Sequence, residues 1–154
     1  MATIAVPRAL ALSLMALSLG CGAALAPLGP FPGYVDVVAG PDCPPAGGKA
    51  TTLVLRPAAD SFDALGPQLR LAVWRDRPAV SGRTFASTDR PVTGGGFECG
   101  RSTSCPPLTE WRVQFDERQP DGALTGILTV RGSDGTMRRG RFAAVWRSRV
   151  VFCI

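Results

Sequence analysis

The chain of 154 residues has no histidine, and of its 17 basic side chains only Lys49 is a lysine; asparagine is absent too. Without histidine it lacks the commonest general base, the usual metal ligand and the side chain that changes charge near neutral pH. Histidine-based triads and histidine-ligated metal hydrolases are excluded with it. No G-x-S-x-G elbow, S-x-x-K motif or phosphate-binding loop occurs either. Glycine and proline number 18 and 14, short of the roughly 25–30% that marks low-complexity disorder. What remains is 45% apolar residues, enough to build one packed domain. The formal charge of +5 comes from arginine in a chain poor in lysine, isoleucine and asparagine. That is the mark of a GC-rich coding bias, so the bulk charge says little about a partner.

The N-terminus carries a targeting pattern. Arg8 is the single charge in residues 1–8, residues 9–19 are uncharged and mostly apolar, and Gly20, Cys21, Gly22, Ala23 and Ala24 follow. A basic start, a short apolar run and a small-residue exit describe a secretory signal peptide. The string Leu17-Ser18-Leu19-Gly20-Cys21 resembles the bacterial lipoprotein signal, in which the cysteine after the cleavage point becomes lipid-modified. Gly20 fills the small position before it, while Ser18 stands where that signal normally has leucine. The resemblance implies a signal peptide over 1–20, lipidation of Cys21 and a membrane held through the lipid anchor. Gly22 supplies no acidic residue after the cysteine, which by the same resemblance favours the outer membrane. Ordinary cleavage after Ala23 or Ala26 is the alternative.

Residues 27–33 alternate proline and glycine with Leu28 and Phe31. Proline fixes φ and has no N–H to donate, so 21–33 is expected to be a lipidated cysteine on a stiff, extended tether. The domain proper is then 34–154. Within it, apolar residues recur at period two: Leu53 and Leu55; Leu69, Leu71 and Val73; Trp111, Val113 and Phe115. Strands are expected over 35–38, 51–56, 69–75, 84–87, 110–117 and 123–131, with further strands to the C-terminus and a last one at 150–154. A helical turn is expected only over 58–65. The fold class is all-β: a small antiparallel β-sandwich or partly open barrel of about eight strands, stapled by disulfides.

Register follows from the turns. Gln119-Pro120-Asp121-Gly122 matches a type I turn. At Ser133-Asp134-Gly135 a two-residue loop would set Leu128 and Val130 beside Arg139 and Arg141. A three-residue loop with Gly135 left-handed sets Leu124, Leu128 and Val130 beside Phe142, Ala144 and Trp146, and the hydrophobic pattern selects it. Gly94-Gly95-Gly96 is expected as a flexible loop. Cys43-Pro44-Pro45 and Ala72-Val73-Trp74-Arg75 recur as Cys105-Pro106-Pro107 and Ala144-Val145-Trp146-Arg147, an echo that coincidence or an old duplication explains.

Five cysteines leave one over in an exported chain, and Cys21 is the one removed by lipid or cleavage. Cys43, Cys99, Cys105 and Cys153 then pair, either as Cys99–Cys105 with Cys43–Cys153 or as Cys43–Cys105 with Cys99–Cys153. The spacing of Cys99 and Cys105 is wider than zinc sites use, and no metal or other cofactor is expected. Asp116-Glu117 at a strand end and the pair Asp60 and Asp63 read as solvated or capping carboxylates. Trp74 falls on the face opposite Leu71 and Val73, beside Arg70, as a candidate stacking residue. The chosen register projects Arg131, Arg139, Arg141 and Arg147 from the solvent side, with Arg112 joining from the preceding strand. Guanidinium groups on a rigid sheet bind phosphates or carboxylates bidentately. The expectation is a non-catalytic envelope lipoprotein, an interaction or structural module. Its alternatives are a binding module for an anionic lipid, glycan or protein through the arginine face, and a carboxylate-pair hydrolase. No nucleic-acid partner is expected.

Overall fold

The computed structural model describes residues 27–45, 47–57, 66–100 and 104–148. They form β1 (Asp36–Asp42), β2 (Ala50–Arg56), β3 (Gln68–Val73), the short helix α1 (Arg77–Val80), β4 (Thr84–Ala86), β5 (Gly94–Cys99), β6 (Trp111–Phe115), β7 (Ala123–Arg131) and β8 (Met137–Trp146). The strands make one sheet in the order β4-β6-β7-β8-β1-β2-β3-β5, curled into a nearly closed barrel. Every neighbouring pair is antiparallel except β1 and β8, which run parallel through Val38↔Val145 and Ala39↔Trp146.

Alternation decides which side of each strand faces inward. β7 shows Leu124, Gly126, Leu128 and Val130 buried, with half-exposed residues between them. The β7–β8 hairpin has the register that the hydrophobic pattern selects, Leu124↔Ala144 and Leu128↔Gly140. Its loop is closed by the Gly132 N–H donating to the Thr136 carbonyl and the Gly135 N–H to the Gly132 carbonyl, both at 2.9 Å. Gly135 takes φ 80°, the left-handed conformation that the bulged three-residue loop requires. The interior is solid: Leu53, Leu55, Leu69, Leu71, Val73, Val113, Leu124, Leu128 and Val130 are all at 0% exposure. Phe115 sits edge-on between Phe85 and Phe142, at 6.1 and 5.9 Å. A small barrel filled in this way has a packed core and no lumen.

Several expectations are corrected. Gly94–Gly96 is no flexible loop but the start of β5, paired with Leu71–Val73 of β3. The missing side chains explain it: a Cβ at Gly94 would stand 2.4 Å from the Ala72 carbonyl oxygen, and one at Gly96 2.3 Å from that of Arg70. The outer edge of β5 is covered by the segment that leads to β6. There Glu98 and Leu108 donate their N–H groups to the Pro106 and Gly96 carbonyls, at 3.1 and 2.8 Å.

The expected tether is also part of the fold. Residues 29–31 lie parallel to β8, with Pro30 opposite Arg141. Hydrogen bonds run from the Arg141 N–H to Gly29 and from the Phe31 N–H to Arg141, each 2.8 Å. Proline fits here because its neighbours make the ladder bonds. Phe31 turns inward and is only 3% exposed.

The turn after β6 comes one residue later than expected. The Ala123 N–H bonds to the Pro120 carbonyl, and Gly122 at φ 68° takes the third position. The Gln119 side chain is occupied instead in bonding Asp116 and Thr125, which keeps Gln119 out of the turn. The helical turn expected over 58–65 and the strand over 150–154 lie outside the described residues. A helical turn does form at α1, where Pro78 suits the first turn. Finally, the repeated Ala-Val-Trp-Arg strings face opposite ways. Val73 is at 0% exposure whereas its counterpart Val145 is 55% exposed, so they are not copies of one structural unit.

Candidate functional site

Fully buried side chains pack the barrel's interior among the described residues, which leaves its outer surface as the natural place for recognition. The face of β6, β7 and β8 is rich in arginine. Arg112, Arg139 and Arg141 stand on it, as the period-two reading expects, between buried Val113 on β6 and Phe142 on β8. Arg131 ends the exposed row of β7.

The structure divides these arginines. Arg131 Nε donates to Glu110 at 2.7 Å and its Nη1 to the Gly135 carbonyl at 2.9 Å. Arg141 donates to Asp116 at 2.6 Å, and the Thr125 hydroxyl bonds the same carboxylate oxygen at 2.8 Å. Both charges are therefore answered locally. Arg147 lies beyond the end of β8, its N–H bonded to the Ala39 carbonyl. Eight residues of strand separate it from Arg139, roughly 26 Å, so one ligand group cannot bridge them.

Arg112 and Arg139 remain. Register sets Arg112 against Thr129 and Thr129 against Arg139, a straight row across three strands. The two arginine backbones are thus about 9–10 Å apart, within reach for both guanidinium groups to bracket one anion over the Thr129 hydroxyl. Among the described residues neither makes an ion pair. They line a shallow concavity of about 370 Å³ with Gln114, Ile127 and Thr129. One acid lies near. The Thr93 hydroxyl and the Ala86 N–H hold the Asp89 carboxyl below the usual carboxylate range, and the charges of Arg112 and Arg90 add to this.

A second concavity, of about 450 Å³, is lined by Pro44, Gly47, Lys49, Trp74, Arg75 and Asp76 among others. Trp74 is half-buried there, with its backbone N–H donated to Thr93 at 2.8 Å. Arg70, expected beside it, is engaged elsewhere: it pairs with Asp42, which also accepts from the Thr52 hydroxyl at 2.8 Å. Neither concavity is lined by two carboxylates.

One polar cluster went unanticipated. At the barrel end near the β7–β8 turn, Arg138 points inward and donates to Glu98 Oε1 at 2.6 Å, and the Tyr34 hydroxyl donates to the same oxygen at 2.7 Å. The guanidinium also lies over the Tyr34 and Phe31 rings, at 5.7 and 6.0 Å. Burial, then the Glu98 carboxylate, pushes the Tyr34 hydroxyl up from 10.0 to about 12. The parity of β8 holds the signal: Arg138 shares the face of Phe142 and Ala144. The opposite end is closed by α1, where Val80 is fully buried and Arg77 lies 4.8 Å over the Trp146 ring.

Cys99 and Cys105 are joined, with sulfurs 2.07 Å apart, and Cys43 is oxidised as well. Of the cysteine positions, Cys21 and Cys153 lie outside the described residues, as do the signal segment and the lipidation point. Among the described residues no helix is long and apolar enough to cross a membrane, and no cluster of metal-ligating side chains occurs. Comparison with protein-family models, with curated proteins and with solved structures finds no match.

Proposed function

We propose that the protein is an exported envelope lipoprotein, anchored by lipid on Cys21, whose barrel is a non-catalytic interaction or structural module. The oxidised state of the barrel's cysteines carries this reading. Disulfides persist in exported proteins and are rare in the cytosol, and pairing among Cys43, Cys99, Cys105 and Cys153 leaves Cys21 as the odd thiol. The filled interior supports a role played on the outer surface. Intact mass of the protein from membranes, with and without reductant and alkylation, is the test. The expected spectrum has an N-terminal lipid-bearing Cys21 and four cysteines that alkylate only after reduction. Cleavage beyond Cys21 without lipid, or free thiols before reduction, would overturn the reading.

A second reading is favoured by the row Arg112–Thr129–Arg139: a binding module for an anionic ligand. Two guanidinium groups that make no ion pair among the described residues, held by β6 and β8 on either side of β7, suit a phosphate or carboxylate. Retention on an anionic column that weakens with salt and is lost in Arg112→Gln/Arg139→Gln tests it. Elution of that variant with the parent sinks it.

A further inference from the structure

The place where the chain enters the barrel says which anion the arginine row meets. Pro30 lies opposite Arg141 in a parallel pair, so two residues back along each strand Leu28 is level with Arg139. The chain thus leaves toward its N-terminus alongside the unpaired end of the basic face. Cys21 is six residues before Pro27, and a fully extended chain of that length spans at most about 22 Å. A folded domain of about 120 residues is roughly 30–35 Å across, wider than this tether is long. Any membrane that holds Cys21 is consequently met by the part of the barrel nearest residue 27.

That part has the composition of an interfacial surface. Arg112 and Arg139 lie one row from Met137, which is 42% exposed and sits opposite Arg131 at the start of β8. An apolar side chain beside cations is how peripheral proteins meet anionic lipid: the cations take phosphates and the apolar group enters the acyl boundary. Arg131 and Arg141 are already answered by Glu110 and Asp116, so on this face Arg112 and Arg139 are the arginines without an ion pair among the described residues.

Resting on the lipoprotein reading above, we infer that the face bearing Arg112, Arg139 and Met137 lies against the membrane that holds the anchor and binds the phosphates of anionic lipid headgroups. The lipid on Cys21 and this patch are then two weak attachments acting together, and together they fix which side of the barrel looks away from the bilayer.

The test uses the chain from residue 21 with Cys21→Ala, which carries no lipid and keeps every residue of the barrel. Co-sedimentation is compared on phosphatidylcholine vesicles and on vesicles containing phosphatidylglycerol. Binding is expected to need phosphatidylglycerol and to weaken with salt. It should fall roughly 30-fold in Arg112→Gln/Arg139→Gln, about fivefold for each cation removed from the surface, with Arg147→Gln unchanged. Circular dichroism of the double variant confirms that the barrel is intact. Equal binding to both vesicles, or a double variant that sediments like its parent, overturns the inference. So does arginine-dependent retention on heparin without vesicle binding, which gives the face to an acidic glycan. Because this chain has no lipid, its result is separate from the intact-mass result on Cys21.

Discussion

Gly140→Ala should destabilise the barrel, although the same change in most strands does the opposite. Replacing a strand-interior glycine by alanine usually gains about 0.5–1 kcal/mol, because glycine loses more backbone freedom on folding. Here the new Cβ would stand 2.3 Å from Phe31 Cα, 2.5 Å from its nitrogen and 2.7 Å from the Pro30 carbonyl carbon. All three are backbone atoms, so no rotamer change relieves them, and residues 29–31 must leave β8. Undocking gives up the burial of Phe31, about 3–5 kcal/mol by analogy with Phe→Ala. It also gives up two hydrogen bonds worth about 1 kcal/mol each. Freeing three residues returns about 3 kcal/mol of chain entropy. The net loss is about 2–4 kcal/mol, a sizeable part of a domain's stability. Urea unfolding followed by tryptophan fluorescence measures it, and faster amide exchange at Phe31 and Arg141 localises it. Phe31→Ala should cost a similar amount, and the double variant little more than the costlier single, since both remove one docking event. A Gly140→Ala protein as stable as its parent, or strictly additive losses, would refute the reasoning.

Tyr34 is the chain's one tyrosine, so tyrosinate absorbance reports it alone. With its pKa raised from 10.0 to about 12, the folded state holds this proton more tightly than the unfolded chain. The stability this provides is whole below pH 10 and is lost as the pH rises toward 12; Tyr34→Phe should remove that alkaline decline, and a folded-state midpoint near 10 would contradict it. Arg138→Leu strands the Glu98 carboxylate, which is only 16% exposed, and should cost about 2–3 kcal/mol in chemical denaturation. A loss under about 1 kcal/mol would mean that water replaces the guanidinium. Serine at both Cys99 and Cys105 opens a loop of separation 6, worth about 2 kcal/mol in the loop-entropy account. Exchange at Leu108 should quicken if the disulfide holds the segment covering β5.

The hairpin of β7 and β8 was readable because its information is local. Alternating apolar residues on both strands and one glycine able to take positive φ leave a single register that buries Leu128 and Phe142 together. That register also put Arg139 and Arg141 on the outer face, and the alternation of β6 put Arg112 there. β5 was not readable, since three glycines carry no alternation and their strand exists only because the β3 backbone presses against them. Phe31 was hidden among prolines, whose local preference is extended in a tether and in a strand alike. The cluster of Tyr34, Glu98 and Arg138 spans 104 residues of sequence. Parity could have turned Arg138 inward, but nothing short of the closed barrel brings Glu98 to it. The division of the arginines has the same origin: Asp116 reaches Arg141, and Glu110 reaches Arg131, through pairings of whole strands.

The parallel contact of β1 with β8 has a consequence in time. β1 emerges early in synthesis and receives its second neighbour only when residues 145 and 146 arrive. Until then β1 and β7 each present an open ladder edge, the kind that pairs with foreign strands. No smaller unit closes first, because the first and last described strands are the two sides of the same seam. The chain is therefore vulnerable for as long as it is incomplete and protected all at once when it is finished.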